Sequence, residues 1–195
     1  MLAKFSRLQS LDLSANNLSG ALAEAAEEGS GLFAVGLPDL RELNLAYNDL
    51  SAADAAALVV ADFPRLETLD LSERHWGPQR VGGAAFLTAL CRGSFPELRR
   101  LKLSDVHLKD AGASALALGR WPRLHSLVLS GNKDLSADGV LRLLKGGVQR
   151  AWPARLQGQH LPALRELDLR GTGCCRGDAA TAAAAAIRPE LSIIF

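Results

Sequence analysis

The chain has 195 residues, of which 48% are hydrophobic, and its 22 Lys and Arg nearly balance its 21 Asp and Glu. This apolar fraction excludes a disordered chain, and the balanced charge excludes a strong overall field for nucleic acid or a membrane. No apolar run reaches the roughly 18–20 residues that a membrane-spanning helix needs, and the first residues show no secretory signal pattern. Only local charge can therefore argue for partners of those two kinds.

The cysteines favour an intracellular, cytoplasmic protein without metal or cofactor. Cys91, Cys174 and Cys175 are odd in number and two are adjacent, which makes a poor disulfide framework. None lies in a Cys/His cluster with metal-ligand spacing, so we expect three reduced thiols.

A repeated pattern, L-x-x-L-x-L-x-x-N-x-L, organises the chain. It matches perfectly from Leu8 and from Leu40, and later copies carry substitutions at the last apolar and Asn positions. The later copies begin at Leu66, Leu98, Leu124, Leu164 and, truncated, at Leu191. The starts are 26 to 40 residues apart, which leaves room for a helix after most copies.

Proline residues just before the copies support this division of the chain into repeats. Five copies are preceded by an apolar residue and a proline, which ends the previous helix and favours an extended residue before it. The five pairs are Leu37-Pro38, Phe63-Pro64, Phe95-Pro96, Trp121-Pro122 and Leu161-Pro162. Alanine-rich segments between copies predict helices over 52–61, 84–91, 110–118, 136–145 and 178–187. Ser51, Asp110, Ser136 and Asp178 are the predicted N-caps.

These copies resemble the intracellular, ribonuclease-inhibitor-like class of leucine-rich repeat proteins. So do the sequences at 108–118 and 132–144, which lead from a turn into a helix. The resemblance implies an α/β solenoid, a horseshoe with a concave parallel β-sheet and convex helices. It covers nearly the whole chain apart from a linker in the 30s, a loop at 74–83 and an insertion near 146–160. We expect one domain over 1–195, with six repeats and a partial seventh. The short N-terminal lead and the apolar end leave open that the chain belongs to a longer protein.

In this arrangement the leucines at positions four and six of each copy face the core, and the residues beside them face the concave surface. Asn16, Asn48 and Asn132 are expected to hydrogen-bond turn backbone along the stack. The residues exposed on the strands and at the sheet edge predict a scaffold that binds another protein, within a larger intracellular assembly. The expected contact residues are Tyr47, Asp70, Glu73, Arg100, Lys102 and Asp105.

Two alternatives stay open. Residues 139–165 contain no acid, and Arg150, Trp152 and Arg155 in that stretch suggest contact with RNA or with an acidic protein surface. Arg80, in the enlarged 74–83 loop, is the candidate residue for a GTPase-activating regulator.

No enzymatic motif supports catalysis. The sequence has no glycine-rich phosphate loop after a strand, no nucleophile elbow and no His-Glu-x-x-His. His75 and His107 share a repeat position but lack a carboxylate or thiol beside them, which makes a weak metal site. We therefore expect a protein that is not an enzyme, takes no small-molecule substrate and contacts no membrane.

Overall fold

In the computed structural model, the described residues are 7–29, 37–61, 63–73, 83–146, 161–174, 182, 186 and 188–195. Seven short strands and five helices lie within them. The strands are β1 Ser10–Asp12, β2 Glu42–Asn44, β3 Thr68–Asp70, β4 Arg100–Lys102, β5 Ser126–Val128, β6 Glu166–Asp168 and β7 Ser192–Ile194. The helices are α1 Ala21–Glu27, α2 Ala52–Val60, α3 Ala84–Leu90, α4 Asp110–Leu116 and α5 Ala137–Lys145. None of these helices has the length and apolarity to cross a membrane.

The strands form one parallel sheet in the order of the sequence, from β1 to β7. Equivalent residues pair throughout, so that Leu43 lies beside Leu69 and Leu101 beside Leu127. Each of the first five strands is followed by a helix, and successive helices pack on one another. The predicted α/β solenoid with a parallel sheet is confirmed.

The core lies between the sheet and the helices. From β2 to β6, the leucines at positions four and six are at most 1% exposed, as the strand periodicity predicts. In β1 the equivalent Leu11 and Leu13 are half-buried. Aromatic residues before the strands extend this core: the rings of Phe95 and Trp121 stack with centroids 5.9 Å apart.

The apolar–proline pairs form the predicted turns into the strands. In each, the first leucine of the copy donates its N–H to the carbonyl of the apolar residue three positions earlier, as Leu40 does to Leu37 at 3.0 Å. The seventh copy has a turn of the same kind with Arg188 before Pro189, and Leu191 donates to the Arg188 carbonyl at 3.0 Å. The buried Arg188 guanidinium donates to the Leu161 carbonyl at 2.7 Å and thereby joins the last two turns.

Two of the predicted N-cap residues are confirmed, and one is wrong. Ser51 caps α2 in a reciprocal capping box with Asp54, and Ser136 Oγ accepts the Gly139 N–H at the start of α5. The prediction of Asp110 as an N-cap is wrong, because it is the first residue of α4 and Lys109 precedes it. The Asp110 carboxylate accepts instead from the N–H and hydroxyl of Ser136 in the next repeat.

One helix was missed by the sequence analysis, and one predicted helix is not tested by the described residues. Helix α1 was not expected; it follows Gly20 in a left-handed conformation, without a side-chain cap that would signal its start. The segment predicted at 178–187, with its cap Asp178, lies outside the described residues except for 182 and 186.

The buried Asp54 carboxylate connects the first two repeats. It accepts the backbone N–H groups of Gly20, Leu22 and Ala23, at 2.9 to 3.1 Å, besides that of Ser51 in its own turn. Burial alone raises the pKa of Asp54, but the hydrogen bonds from Ser51, Gly20 and Ala23 together hold it below the ordinary value. The ionised form is therefore the one that stabilises the fold.

Replacing Asp54 with Ala leaves these buried donors without an acceptor. We expect D54A to lower the free energy of unfolding by about 2–4 kcal/mol, measured by urea denaturation at pH 7. Because the folded pKa lies below the ordinary 3.8, the contribution is full above pH 3.8 and falls as the pH drops through the folded value. D54A should therefore lack this part of the acid sensitivity.

The matched control is Asp138, an exposed acid in the first turn of α5. Its replacement by Ala removes a helix-dipole interaction only, so the expected loss is below about 1 kcal/mol. Equal losses for the two variants would contradict the connecting role of Asp54.

Candidate functional site

The side of the sheet opposite the helices carries the candidate site, and we call it the open face. Strand residues alternate between the two sides of a sheet, so the residues at positions three and five of each copy belong to the open face. From β1 to β7 they are Ser10 and Asp12, Glu42 and Asn44, Thr68 and Asp70, Arg100 and Lys102, Ser126 and Val128, Glu166 and Asp168, and Ser192 and Ile194. Register pairing places them in two rows across the sheet.

On four strands the residue at position five serves the framework. Its side-chain oxygen accepts the backbone N–H two residues further on, at 2.8 to 3.1 Å. The acceptors are Asp12, Asn44, Asp70 and Asp168. Strands β4 and β5 carry Lys102 and Val128 at this position, and neither side chain contains an acceptor. Strands β4 and β5 therefore lack the side-chain to backbone hydrogen bond that β1, β2, β3 and β6 have at this position.

The acids of this row also have partners across or along the sheet. Lys102 Nζ lies 3.0 Å from the Asp70 carboxylate, and Asn44 Nδ2 donates to Asp12 at 3.0 Å. The Arg170 guanidinium makes a bidentate contact with the buried Asp168, and its hydrogen bonds hold the pKa of that carboxyl below its usual value. Hydrogen bonds from Ser14 likewise lower the pKa of Asp12. Asp12, Asp70 and Asp168 therefore already have partners within the sheet.

A second group of ion pairs lies where the chain enters the strands. Arg41 pairs with Glu67, which also lies 3.7 Å from Arg99, and Arg123 pairs with Glu97. Arg65 and Arg165 pair with Asp39 and Glu190. Among the described residues between 37 and 170, we compared the Lys and Arg residues that lie on a strand or in the turn entering it. Arg100 is the one of these that makes no ion pair.

The turns that leave the strands use unusual backbone conformations. Tyr47 and Asp105, both at position eight, have φ of 62° and 53°, in the left-handed region that bulky residues rarely adopt. In this conformation neighbouring N–H groups converge on one acceptor. Asn48 Oδ1 accepts from Asn16 and Leu18, at 2.8 and 3.3 Å.

The predicted asparagine ladder is therefore confirmed at Asn48 and Asn132. Asn132 Oδ1 accepts the Leu108 N–H at 2.9 Å, and the side-chain amides of both asparagines donate to the carbonyl that directly follows the strand of the preceding repeat. Asn16 donates within its own turn, to the Ser14 carbonyl at 3.0 Å.

Glu73 takes the acceptor role in the third copy, where Arg74 stands at the asparagine position. Its Oε1 accepts the N–H groups of Asn48 and Asp49, at 3.3 and 2.9 Å, and the residue is only 7% exposed. Burial raises the pKa of Glu73, and the backbone hydrogen bonds from Asp49 and Asn48 only partly oppose this. The structure thus places Glu73 in the framework of the turns.

The other predicted contact residues fall into three groups. Asp70, Arg100 and Lys102 lie together on β3 and β4 of the open face, with Asp70 and Lys102 paired and Arg100 exposed. Tyr47, 43% exposed, and the half-buried Asp105 lie at the edge of the sheet. The residues that supported the RNA and GTPase alternatives, Arg80, Arg150, Trp152 and Arg155, lie outside the described residues.

Val128 and Ser126, on β5, were not among the predicted contacts. Val128 is half-buried and apolar between Lys102 and Asp168 in the sheet. Its signal in the sequence was the apolar residue in a column that is otherwise polar from the first to the sixth copy.

Two comparisons with known families match single repeats. A model described as Leucine Rich Repeat matches residues 7–27, and one described as Leucine Rich repeat matches residues 36–59. The matches cover the first two copies and the helical residues that follow them. No curated protein matches the chain. The ribonuclease-inhibitor-like subclass stays a prediction.

The buried charge of Glu73 should destabilise the fold at neutral pH. Glu73→Gln keeps the oxygen acceptor, adds an amide donor like that of Asn48, and removes the charge. We expect an increase of about 1 kcal/mol in the free energy of unfolding at pH 7, measured by urea denaturation.

The stability difference between the glutamine variant and the wild type should depend on pH. Because the folded pKa of Glu73 is raised above the ordinary 4.5, its contribution is full below pH 4.5 and is lost as the pH rises through the folded value. The advantage of the glutamine variant should therefore grow over that range. Glu97→Gln, at a half-buried surface ion pair, is the control. A destabilised E73Q, or an advantage that does not change with pH, would contradict the account.

Proposed function

Because the chain is a leucine-rich repeat protein, and domains of this family generally mediate protein–protein interaction, we propose that it binds a protein partner through the open face. The proposed centre of contact is the β4–β5 region, with Arg100, Lys102 and Val128. We further propose that the chain acts as a non-catalytic subunit of a larger intracellular assembly. The half-buried Cys91 and buried Cys174, both free thiols, are compatible with a reducing compartment.

The observation that carries the proposal is the different use of the strands. On β1, β2, β3 and β6 the residue at position five bonds its own backbone and is needed for the local fold. On β4 and β5 the residue at this position makes no such bond. Val128 therefore has no role in the local turn, and Lys102 is held only by its ion pair with Asp70, so both side chains can contact a partner.

The chemistry of this region suits a protein interface. Val128 offers a partly accessible apolar surface, and Lys102 and Asp168 border it in the same row. An apolar centre with a polar border is typical of protein interfaces. Tyr47, which is exposed at the sheet edge two strands from β4, supplies an aromatic contact at the border.

Site-specific photo-crosslinking tests the location of the interface. The full chain carrying p-benzoylphenylalanine in place of Val128 is irradiated in an extract of its native cells, and crosslinked partners are identified by mass spectrometry. We expect a defined crosslinked protein, because the probe replaces a side chain at the proposed contact centre.

The matched control places the same probe at Val60, a valine 79% exposed at the end of α2 on the helical side. The control should give no crosslink to that partner. Crosslinking from Val60 alone, or from neither position, would contradict the proposed face.

A further inference from the structure

Two adjacent residues of the open face lack the partners that their neighbours have. Arg100 on β4 and Ser126 on β5 are paired in register. Arg100 is exposed and, within the described part of the chain, makes no ion pair, although the cations around it do. A guanidinium offers five donors and no acceptor, so a group that completes this residue must accept hydrogen bonds.

Ser126 is the second observation. It is 5% exposed, and its hydroxyl oxygen has under 1 Å² of accessible surface and no hydrogen-bond partner. Buried polar groups are nearly always paired, so such a hydroxyl requires an explanation. Other serines near the strands are bonded: Ser10 Oγ donates to Glu42, Ser14 Oγ donates to Asp12, and Ser104 and Ser130 share a hydrogen bond.

We propose that Arg100 and Ser126 form a subsite for one carboxylate of the protein partner, and that the partner presents an acidic segment there. This proposal rests on the proposed function of the open face. The guanidinium donates to the carboxylate as a planar fork, and the Ser126 hydroxyl, which is buried in the free chain, donates to the same carboxylate once the partner segment is bound. Two carboxylate oxygens can accept all of these bonds.

The surrounding charges favour a protein segment over nucleic acid. A strand of nucleic acid is held by several cations that each neutralise a phosphate. Here Lys102 on β4 and the arginines that directly precede β2, β4 and β6 are already paired with acids. Glu166, the register neighbour of Ser126 on the other side, repels any negative charge nearby, so the bound carboxylate is held mainly by Arg100 and a second one is disfavoured. One carboxylate beside an apolar side chain that packs on Val128 fits this distribution.

The test begins with a random dodecapeptide display library selected on the full chain. A selected peptide is synthesised together with an analogue in which Asp and Glu are replaced by Asn and Gln. Fluorescence anisotropy then gives the affinity of both peptides for the wild type, R100Q, S126A and R92E. Arg92 follows α3 on the helical side and is exposed, so R92E controls for a change in net charge.

We expect the selected peptides to be rich in acids and the amide analogue to bind at least about tenfold more weakly. R100Q should weaken the acidic peptide by a similar factor but leave the analogue unchanged, so that the two losses do not add. R92E should bind like the wild type.

Ser126→Ala separates a binding role from a structural one. If the hydroxyl is reserved for the partner, its removal weakens the acidic peptide while raising Tm by about 2–4 °C, because an unpaired buried hydroxyl is destabilising. A loss of Tm in S126A with unchanged affinity would overturn the role of this residue.

Three further outcomes would overturn the subsite. The selected peptides could lack acids, or the losses of affinity from R100Q and from the amide analogue could simply add. The third is that no selected peptide binds the wild type more tightly than R100Q. Binding of a U12 RNA that depends on Arg100 would also overturn it, in favour of nucleic acid. A photo-crosslinker at position 128 distinguishes the two proposals. Peptides that crosslink there without depending on acids support the open face and reject the carboxylate subsite, whereas crosslinks from position 60 alone reject both.

Discussion

In three of the described turns that leave a strand, a side-chain oxygen of the next repeat accepts backbone N–H groups that would otherwise lack an acceptor. Asn48 serves the first turn, Glu73 the second and Asn132 the fourth. The left-handed residues in these turns direct the N–H groups toward that oxygen, and each donor left buried without it would cost about 1–3 kcal/mol. Together with the leucine columns, this contact holds successive strands in register, and the register arranges the open face in rows.

The position of the proposed interface follows from how this framework uses its polar residues. Asp and Asn on β1, β2, β3 and β6 hydrogen-bond their own backbone, a neighbouring strand or Arg170. Charged residues on the open face therefore have unequal availability, although many of them are near the surface. Strands β4 and β5 combine an apolar Val128, an unpaired Arg100 and a hydroxyl without a partner at Ser126. A partner that supplies an acid and an apolar side chain would complete these groups.

Much of the fold could be predicted because it depends on periodic apolar residues and on prolines. The leucine spacing specifies which residues pair between strands, and the proline turns fix where β2 to β7 begin. The site could be predicted only in part, because its residues differ in partners that the sequence does not show. Glu73 is charged and follows a strand, which suggested exposure, but its carboxylate accepts turn N–H groups as asparagine side chains do in other copies. Arg188 occupies a position held elsewhere by apolar residues, and its charge concealed the same proline spacing.

The central claim is that the framework depends on the position-five residues of β1, β2, β3 and β6 and does not depend on the open-face residues of β4 and β5. Urea denaturation of four single variants tests this most directly. Asp168→Ala and Asn44→Ala remove side-chain acceptors and should lower the free energy of unfolding by about 1–3 kcal/mol each. Arg100→Ala and Val128→Thr should change it by about 0.5 kcal/mol or less, as substitutions outside the framework do. Equal losses in the two pairs would contradict the account, because β4 and β5 would then be as structural as their neighbours.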